Sequence, residues 1–203
     1  MRIIVALGGN AIARRGEAMT VAHQLSNLQT DDLRTLSSSA LRGLSTDQLG
    51  ALTSDQMASL TNAQVSGLTT AQIASLTTTD LNALTDAHMA AFTTSQVAAL
   101  SSTQISGFTS ADLNALTTAQ FGLLSTLQVA GLTTVQISNL ESQDLRALST
   151  TALRALTTAQ IDALTTSQIE YLTTNQVAAF TTQQLGSMAT DDLNALTTGQ
   201  FAA

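Results

Sequence analysis

The sequence predicts an all-α solenoid of short capped helices, one helix for each eight-residue repeat. The stretch LTTAQIASLTTTDLNAL, residues 68–84, shows the spacing, because Leu68, Leu76 and Leu84 lie eight residues apart. The pattern runs without insertion from Gln29 to the end of the 203-residue chain, in 21 complete octads and one that lacks its last residue. Each octad also begins with the residue pattern of a helix N-terminus, so the repeat predicts many short helices.

We label the eight positions a to h, with Gln29 as the first a. Position a is Ser or Thr in 19 of 22 octads, d is Gln in 14 and Asp in five, e is always apolar, and h is Leu in 17 of 21. A Ser or Thr followed three residues later by Gln forms a capping box, in which each side chain accepts a hydrogen bond from the other residue's backbone N–H. In the octad that starts at Thr69, Gln72 completes the box, and Leu68 and Ile73 occupy the positions of a hydrophobic staple. The pattern therefore predicts buried e and h side chains and exposed b, c and f side chains.

Two other folds fit the spacing less well. A continuous helix would rotate its apolar stripe by about 80° per octad, so that no single partner could cover it. A β-solenoid is the alternative fold, since Thr, Val and Ile suit strands, but the odd e-to-h spacing would put large side chains on both faces. One octad buries too little to offset its own ordering, so the octads are predicted to stack as in solenoids, with small residues at g allowing close approach.

A longer cycle of 32 residues overlies the octad. Position e restarts the order Val, Ile, Leu at Val65, Val97 and Val129. Position d carries an acid in the third octad of each cycle, at Asp80, Asp112 and Asp144. This cycle predicts a duplicated unit of four octads, four helices in each coil of the solenoid, or both.

Composition excludes several classes of function. The net charge is −7 and the seven basic residues are all arginine, so no basic surface for nucleic acid is expected. Cysteine is absent, which excludes disulfides and thiolate metal sites. No apolar run approaches the ~18 residues of a membrane span. A signal peptide is not expected either, because Gly-Gly-Asn interrupts the first apolar run.

The remaining polar side chains predict no metal site and no cofactor. His88 stands where Gln usually caps, which predicts a capping role, and His23 is the only other imidazole. The acidic residues at d are too far apart in sequence for a calcium loop, which needs several oxygens within 12 residues. Four arginines at f are expected on a solvated face, in two pairs: Arg34 and Arg42, then Arg146 and Arg154.

Residues 1–28 form a separate segment, MRIIVALGGNAIARRGEAMTVAHQLSNL. Its apolar run predicts a strand, and Gly8, Gly9 and Asn10 predict a tight turn whose N–H groups could face an anion. The segment resembles the N-terminus of carbamate kinase, of the amino acid kinase family, in the Gly-Gly-Asn turn and in the later Arg-Arg-Gly-Glu run. The resemblance implies a vestigial phosphate-binding turn only, because the family's catalytic lysines have no counterpart in a chain without lysine.

The sequence therefore predicts two regions: residues 1–28, a kinase-like fragment of strand and turn, and residues 29–203, the octad array. The array resembles the Thr- and Gln-rich octad tracts of large bacterial surface or secreted proteins. We expect a non-enzymatic spacer, stalk or adhesin-like array with no catalytic residues and with a protein or cell surface as partner. The expected location is extracellular or cell-surface if the array belongs to a larger exported protein, and cytoplasmic otherwise. The alternatives are phosphate or nucleotide binding through Gly8, Gly9 and Asn10, and surface binding by threonine arrays.

Overall fold

The computed structural model describes Leu25 and residues 27–202, and in this part of the chain all regular secondary structure is helical. Each helix has four to six residues. The helices are α1 Thr30–Thr35, α2 Ser38–Arg42, α3 Thr46–Leu49, α4 Ser54–Ser59, α5 Asn62–Gly67, α6 Thr70–Ser75, α7 Thr78–Asn82, α8 Asp86–Ala91, α9 Thr94–Ala99, α10 Ser102–Ser106, α11 Ser110–Asn114, α12 Thr118–Phe121, α13 Thr126–Ala130, α14 Thr134–Ser138, α15 Ser142–Ala147, α16 Thr150–Leu153, α17 Thr158–Asp162, α18 Thr166–Tyr171, α19 Thr174–Ala178, α20 Thr182–Ser187, α21 Thr190–Asn194 and α22 Thr198–Phe201. The predicted all-α fold is confirmed, and the β-solenoid alternative is wrong.

Every one of these helices begins directly after a residue at position a, as the sequence predicts. The position-a residue is extended, as at Thr69 with φ −74° and ψ 157°, and the chain enters the helix at the next residue. In the six-residue helices, the helix ends where position h returns to extended backbone, as at Leu76 with φ −64° and ψ 140°. Shorter helices end one or two residues earlier, as before Ala83, which has φ −80° and ψ −16°. Each eight-residue repeat therefore encodes one helix and the short connection to the next helix.

The helices stack into coils. The closest helix packing always joins third neighbours along the chain, as when α6 packs on α9. Hydrogen bonds between octads join residues 25 to 31 apart in sequence. A coil therefore closes between three and four helices. The prediction of four helices in each coil is corrected to this smaller value, and the 32-residue cycle of the sequence runs out of step with the coil.

The core is a single, mainly aliphatic column made by positions e and h, with a few phenylalanines such as Phe121. Side chains at e are 0% exposed through most of the array, for example Ile73 and Leu113, and those at h are buried behind them. Leu36, Leu185 and Leu193 are half-buried, and Phe201 in the last octad is exposed. Position c is exposed throughout and f is largely exposed, while several position-b side chains are half-buried. The predicted burial pattern is therefore confirmed along most of the array.

Glycine at position g allows close packing between third neighbours. A Cβ on Gly107 would lie 2.5 Å from the Thr78 Cγ2 atom, and one on Gly131 would lie 2.7 Å from the Ser102 Cβ atom. A Cβ on Gly67 would meet Ser38 in the same way. In each case the opposing residue is at position b, three octads earlier. The predicted role of small residues at g is confirmed at these three junctions.

Several predictions fall on residues 1–24, outside the described part of the chain. They are the strand from Ile3 to Leu7, the turn at Gly8, Gly9 and Asn10, and the kinase-like run that follows. Among the described residues, no helix is both long and apolar enough to cross a membrane.

Candidate functional site

The most distinctive polar arrangement in the array is the glutamine at position d, which Gln72 illustrates. Its backbone N–H donates to Thr69 Oγ1 at 3.1 Å, and the Thr69 N–H donates to Gln72 Oε1 at 2.9 Å. The Gln72 Nε2 atom donates in addition to the carbonyl oxygens of Leu41 and Leu44, both at 2.9 Å. One buried side chain thus caps its own helix and binds the end of the helix four octads earlier.

The same link recurs along the array. Within the described part of the chain, thirteen glutamines donate from Nε2 to a position-h carbonyl at 2.6–3.0 Å and to a position-e carbonyl at 2.8–3.2 Å, four octads earlier: Gln56, Gln64, Gln72, Gln96, Gln104, Gln120, Gln128, Gln136, Gln160, Gln168, Gln176, Gln184 and Gln200. We call this contact the glutamine link. Since a buried amide must satisfy both its donors and its acceptor, the link accounts for a side chain that would otherwise be costly to bury.

Capping uses the position-a hydroxyls. Both hydrogen bonds of a capping box are present at 17 of the 22 helices between Thr30 and Phe201. Ser37 and Ser149 make only the hydroxyl bond, because Ala follows at d. Gln29, Glu141 and Ala189 cap through no side chain.

His88 replaces glutamine in one link. The Thr85 N–H donates to Nδ1 at 3.2 Å, and Nε2 lies 2.7 Å from the Leu60 carbonyl oxygen. This geometry requires the tautomer that carries its proton on Nε2, because Nδ1 accepts. Burial lowers the pKa of His88, and the hydrogen bond to Leu60 opposes that shift. The imidazole therefore serves both roles of the glutamine amide in its neutral form.

Asp80 and Asp112 keep the cap but make no link. Each carboxylate accepts from the N-cap Thr backbone N–H and from its hydroxyl, with the Thr109 hydroxyl 2.6 Å from Asp112 Oδ2. A carboxylate offers no donor for the earlier coil, so the link is absent at these octads. An asparagine at f instead reaches the following coil: Asn82 donates to the Gly107 carbonyl and Asn114 to the Asn139 carbonyl, at 2.9 and 2.8 Å.

Asp144 is different from the other aspartates at d. It is 1% exposed, and its Oδ2 atom is buried with no hydrogen-bond partner. The residue at a is Glu141, which has no hydroxyl, and the Glu141 N–H donates to Asn114 Oδ1 instead. Burial, with a smaller contribution from the charge on Glu141, raises the pKa of Asp144 to about 6.

The other polar groups are at the surface or in weaker positions. Arg34, Arg42, Arg146 and Arg154 are exposed, as predicted. A shallow depression is lined by Arg146, Glu170, Tyr171, Leu172, Ala195 and Thr197. Burial raises the pKa of Asp192, helped by the nearby charges of Asp162 and Asp191. Among the described residues, no three His, Cys, Asp or Glu side chains converge on one point.

Sequence reasoning identified the cap at position d but missed the link between coils. The available signal was the choice of residue, because position d is Gln in 14 octads and never Glu. Glu completes a capping box as well as Gln does, so its exclusion indicates that the amide NH₂ group is needed. The proposed phosphate turn at Gly8, Gly9 and Asn10 lies outside the described residues, so it remains a prediction.

The fold and the links define a helical repeat protein, a solenoid in which each octad is one capped helix. A family model for the ALTTAQ repeat matches the chain at residues 25–62, 78–110, 107–141 and 137–174. These matches cover well over half of the chain, and the chain belongs to the ALTTAQ repeat family. Neither a curated protein nor a solved structure matches it. The matches begin at residue 25, so the resemblance of the first residues to carbamate kinase also remains a prediction.

Proposed function

We propose that the array is a non-enzymatic structural module, a spacer or stalk whose length is set by the number of octads. The glutamine link carries this proposal. It uses the buried glutamine side chains of position d both to cap their own helices and to hold successive coils together, as at Gln72 and Leu44. Repeats that contact only near neighbours add length without changing the local structure, which is how solenoids extend.

The contact pattern supports a module that grows along one axis. Helices pack on their third neighbours, and side chains bridge to the fourth. A globular domain of this length would instead bring distant parts of the chain together around one centre. In the proposed role the outer positions c and f carry any interaction, with a protein or a cell surface as the partner.

The test is to change the octad number without changing the register. Residues 93–124 comprise four whole octads, so duplicating or deleting them preserves each link, which spans four octads. Small-angle X-ray scattering should show the maximum dimension rising and falling by equal amounts, with an unchanged cross-sectional radius. Circular dichroism should show the same helicity per residue in all three chains. A radius of gyration that grows as slowly as in a compact domain, roughly with the 0.38 power of length, would contradict the spacer role.

Catalysis is a separate proposal: we expect no carbamate kinase activity. Phosphoryl transfer requires positioned cations around the transferred group, and the chain contains no lysine. Purified protein should therefore make no ATP from carbamoyl phosphate, and Gly9→Ala should change nothing. Turnover that is lost in Gly9→Ala would reverse this proposal.

Surface binding by threonine arrays has less support. Position-a hydroxyls such as Thr69 Oγ1 accept from backbone N–H groups and are occupied in capping. The hydroxyls that remain for an external ligand are those of position b, half-buried in several octads, and the scattered ones at position c, such as Thr79 and Thr103. A freezing-hysteresis measurement on the purified chain would reveal ice binding if this weaker candidate is correct.

A further inference from the structure

In one octad the acid at position d has a buried oxygen without a hydrogen-bond partner. At Gln136 the amide donates to the carbonyl oxygens of Ile105 and Phe108 at 2.8 and 2.9 Å. Asp144 occupies position d of the next octad, and its buried Oδ2 atom has no partner. A buried polar atom without a partner costs free energy, more so when it is charged.

The residue at position a explains why Asp144 lacks the donors that Asp112 has. At Asp112 the position-a residue is Thr109, whose hydroxyl and N–H both donate to the carboxylate. At Asp144 the position-a residue is Glu141, which carries no hydroxyl and adds a second negative charge. At this octad the hydroxyl donor is absent and the Glu141 N–H donates to Asn114 Oδ1, so neither donor of the Thr109 octad stabilises the ionised form.

The register of the repeat indicates which carbonyl oxygens a protonated carboxyl group at position 144 would face. By register, the carbonyls that position 144 would link are those of Leu113 and Leu116, 31 and 28 residues earlier, as for Gln136. Leu113 already accepts from the Leu116 N–H at 3.2 Å. Leu116 follows its helix, and within the described part of the chain no other group donates to its carbonyl.

We propose that Asp144 is a proton-sensitive joint of the array: the neutral carboxyl group supplies the donor that glutamine supplies elsewhere, and its ionisation loosens the junction with the preceding coil. The inference concerns regulation of the array and does not depend on its role as a spacer. Asp80 and Asp112 retain their threonine donors. Asp192 also follows a residue without a hydroxyl, Ala189, but among the described residues only Asp144 has a fully buried side-chain oxygen without a hydrogen-bond partner.

The charged and titratable groups around the joint favour the neutral acid. Helix α15, which carries Asp144, packs on α12 and α18. Helix α12, TAQF, contains no titratable side chain. The octad of Asp144 also contains Glu141 and Arg146, and helix α18 contains Glu170 and Tyr171. Asp112 lies at position d four octads earlier. Of these only Arg146 is cationic, and it is exposed.

The direction of the pH effect follows from the raised pKa. The folded chain holds a proton on Asp144 up to a pKa of about 6, whereas the unfolded chain loses it near the ordinary aspartate pKa of 3.8. The stabilisation is thus fully present below about pH 4 and is lost as the pH rises through about 6. A separation of roughly two pKa units corresponds to an approximately hundredfold change in the opening equilibrium of the junction.

The test compares the full chain with Asp144→Asn, which carries a neutral donor at every pH. Hydrogen exchange of backbone amides near Leu116 and Leu145, measured from pH 4 to pH 8, reports opening of this junction. We expect the ratio of the two opening equilibria to change roughly hundredfold across that range. A carbon-13 NMR titration of the Asp144 carboxyl group should give a midpoint near pH 6. Asp112→Asn is the matched control and should leave the pH dependence unchanged.

Glu141→Thr tests the same joint in case the Asp144→Asn side chain fits the site poorly. Glu141→Thr restores the hydroxyl of the Thr109 octad, so the Asp144 midpoint should fall and the pH dependence should disappear while Asp144 is retained. Equal pH dependence in the wild type, Asp144→Asn and Glu141→Thr would overturn the proposal. So would a midpoint near pH 4, or a junction that millimolar Ca²⁺ stabilises equally at pH 5 and pH 8.

Discussion

Gln136 and Asp144 hold the same position in consecutive octads, yet one joins two coils and the other leaves a buried oxygen unpaired. The glutamine amide satisfies its acceptor in its own helix and its donors in an earlier helix. The aspartate has no donor, and its position-a neighbour offers it none. The difference shows that repeats with nearly the same pattern build junctions of unequal strength, and that position d determines the strength.

The largest effect is expected from turning a glutamine junction into an acidic one. Gln96→Glu keeps the acceptor for the Thr93 N–H but removes both donors and places a charge beside the carbonyls of Val65 and Leu68. Because residue 96 is 1% exposed, we expect a loss of about 3 kcal/mol or more, measured by urea unfolding. Gln183→Glu, at an exposed position c, adds the same charge and should be nearly neutral. Equal losses in both variants would show that net charge, and not the link, is responsible.

A smaller loss is expected where an aspartate octad meets the coil after it. Gly107 receives the Asn82 hydrogen bond, and a Cβ there would lie 2.5 Å from Thr78 Cγ2. Gly107→Ala should therefore cost about 1–3 kcal/mol through overpacking. Gly186→Ala is the control, because nothing lies within 4 Å of its Cβ position, and it should be neutral or stabilising by up to about 1 kcal/mol. Thermal unfolding of the two variants distinguishes a packing effect from a general effect of alanine.

The reverse conversion should strengthen a weak junction. Asp80→Gln gives the octad an amide that, by register, can donate to the carbonyls of Leu49 and Leu52 while keeping the cap on Thr77. The gain of these bonds should stabilise the chain by about 1–2 kcal/mol in urea unfolding. Asp47→Gln, at an exposed position c, removes the same charge without a link and serves as the control. No gain beyond the control would mean that glutamine at d links coils only in its native octads.

The smallest effect is expected at His88, where burial and the Leu60 hydrogen bond shift the pKa in opposite directions. The net pKa is lowered, so the contribution of His88 to stability is present above about pH 6.5 and decreases as the pH falls below that value. His88→Gln should remove this dependence, because the amide makes the same link without titrating. Thermal unfolding at pH 5 and pH 7.5 tests this, and an unchanged pH dependence in His88→Gln would assign it to another group.

Local features were the easiest to predict from the sequence. Helix starts, capping partners and the e and h core are each encoded within one octad, and the structure places Thr69, Gln72 and Ile73 as the pattern indicates. The number of helices in a coil was harder to predict. Helices pack on their third neighbours while glutamine links reach the fourth octad, and a single eight-residue repeat does not show this difference. The glutamine links were missed for a related reason: their acceptors are backbone carbonyls, which no residue type marks.

Between octads, the described hydrogen bonds span no more than 31 residues. None of these hydrogen bonds holds distant coils together. Under tension applied at its ends, the array should therefore unfold one coil at a time. Unfolding of one coil of about 28 residues should lengthen the chain to ~100 Å of extended backbone. Aspartate junctions should yield first and glutamine junctions last. Such an array would dissipate an applied force in successive unfolding steps. The amide or acid at each position d would determine the order in which the coils unfold.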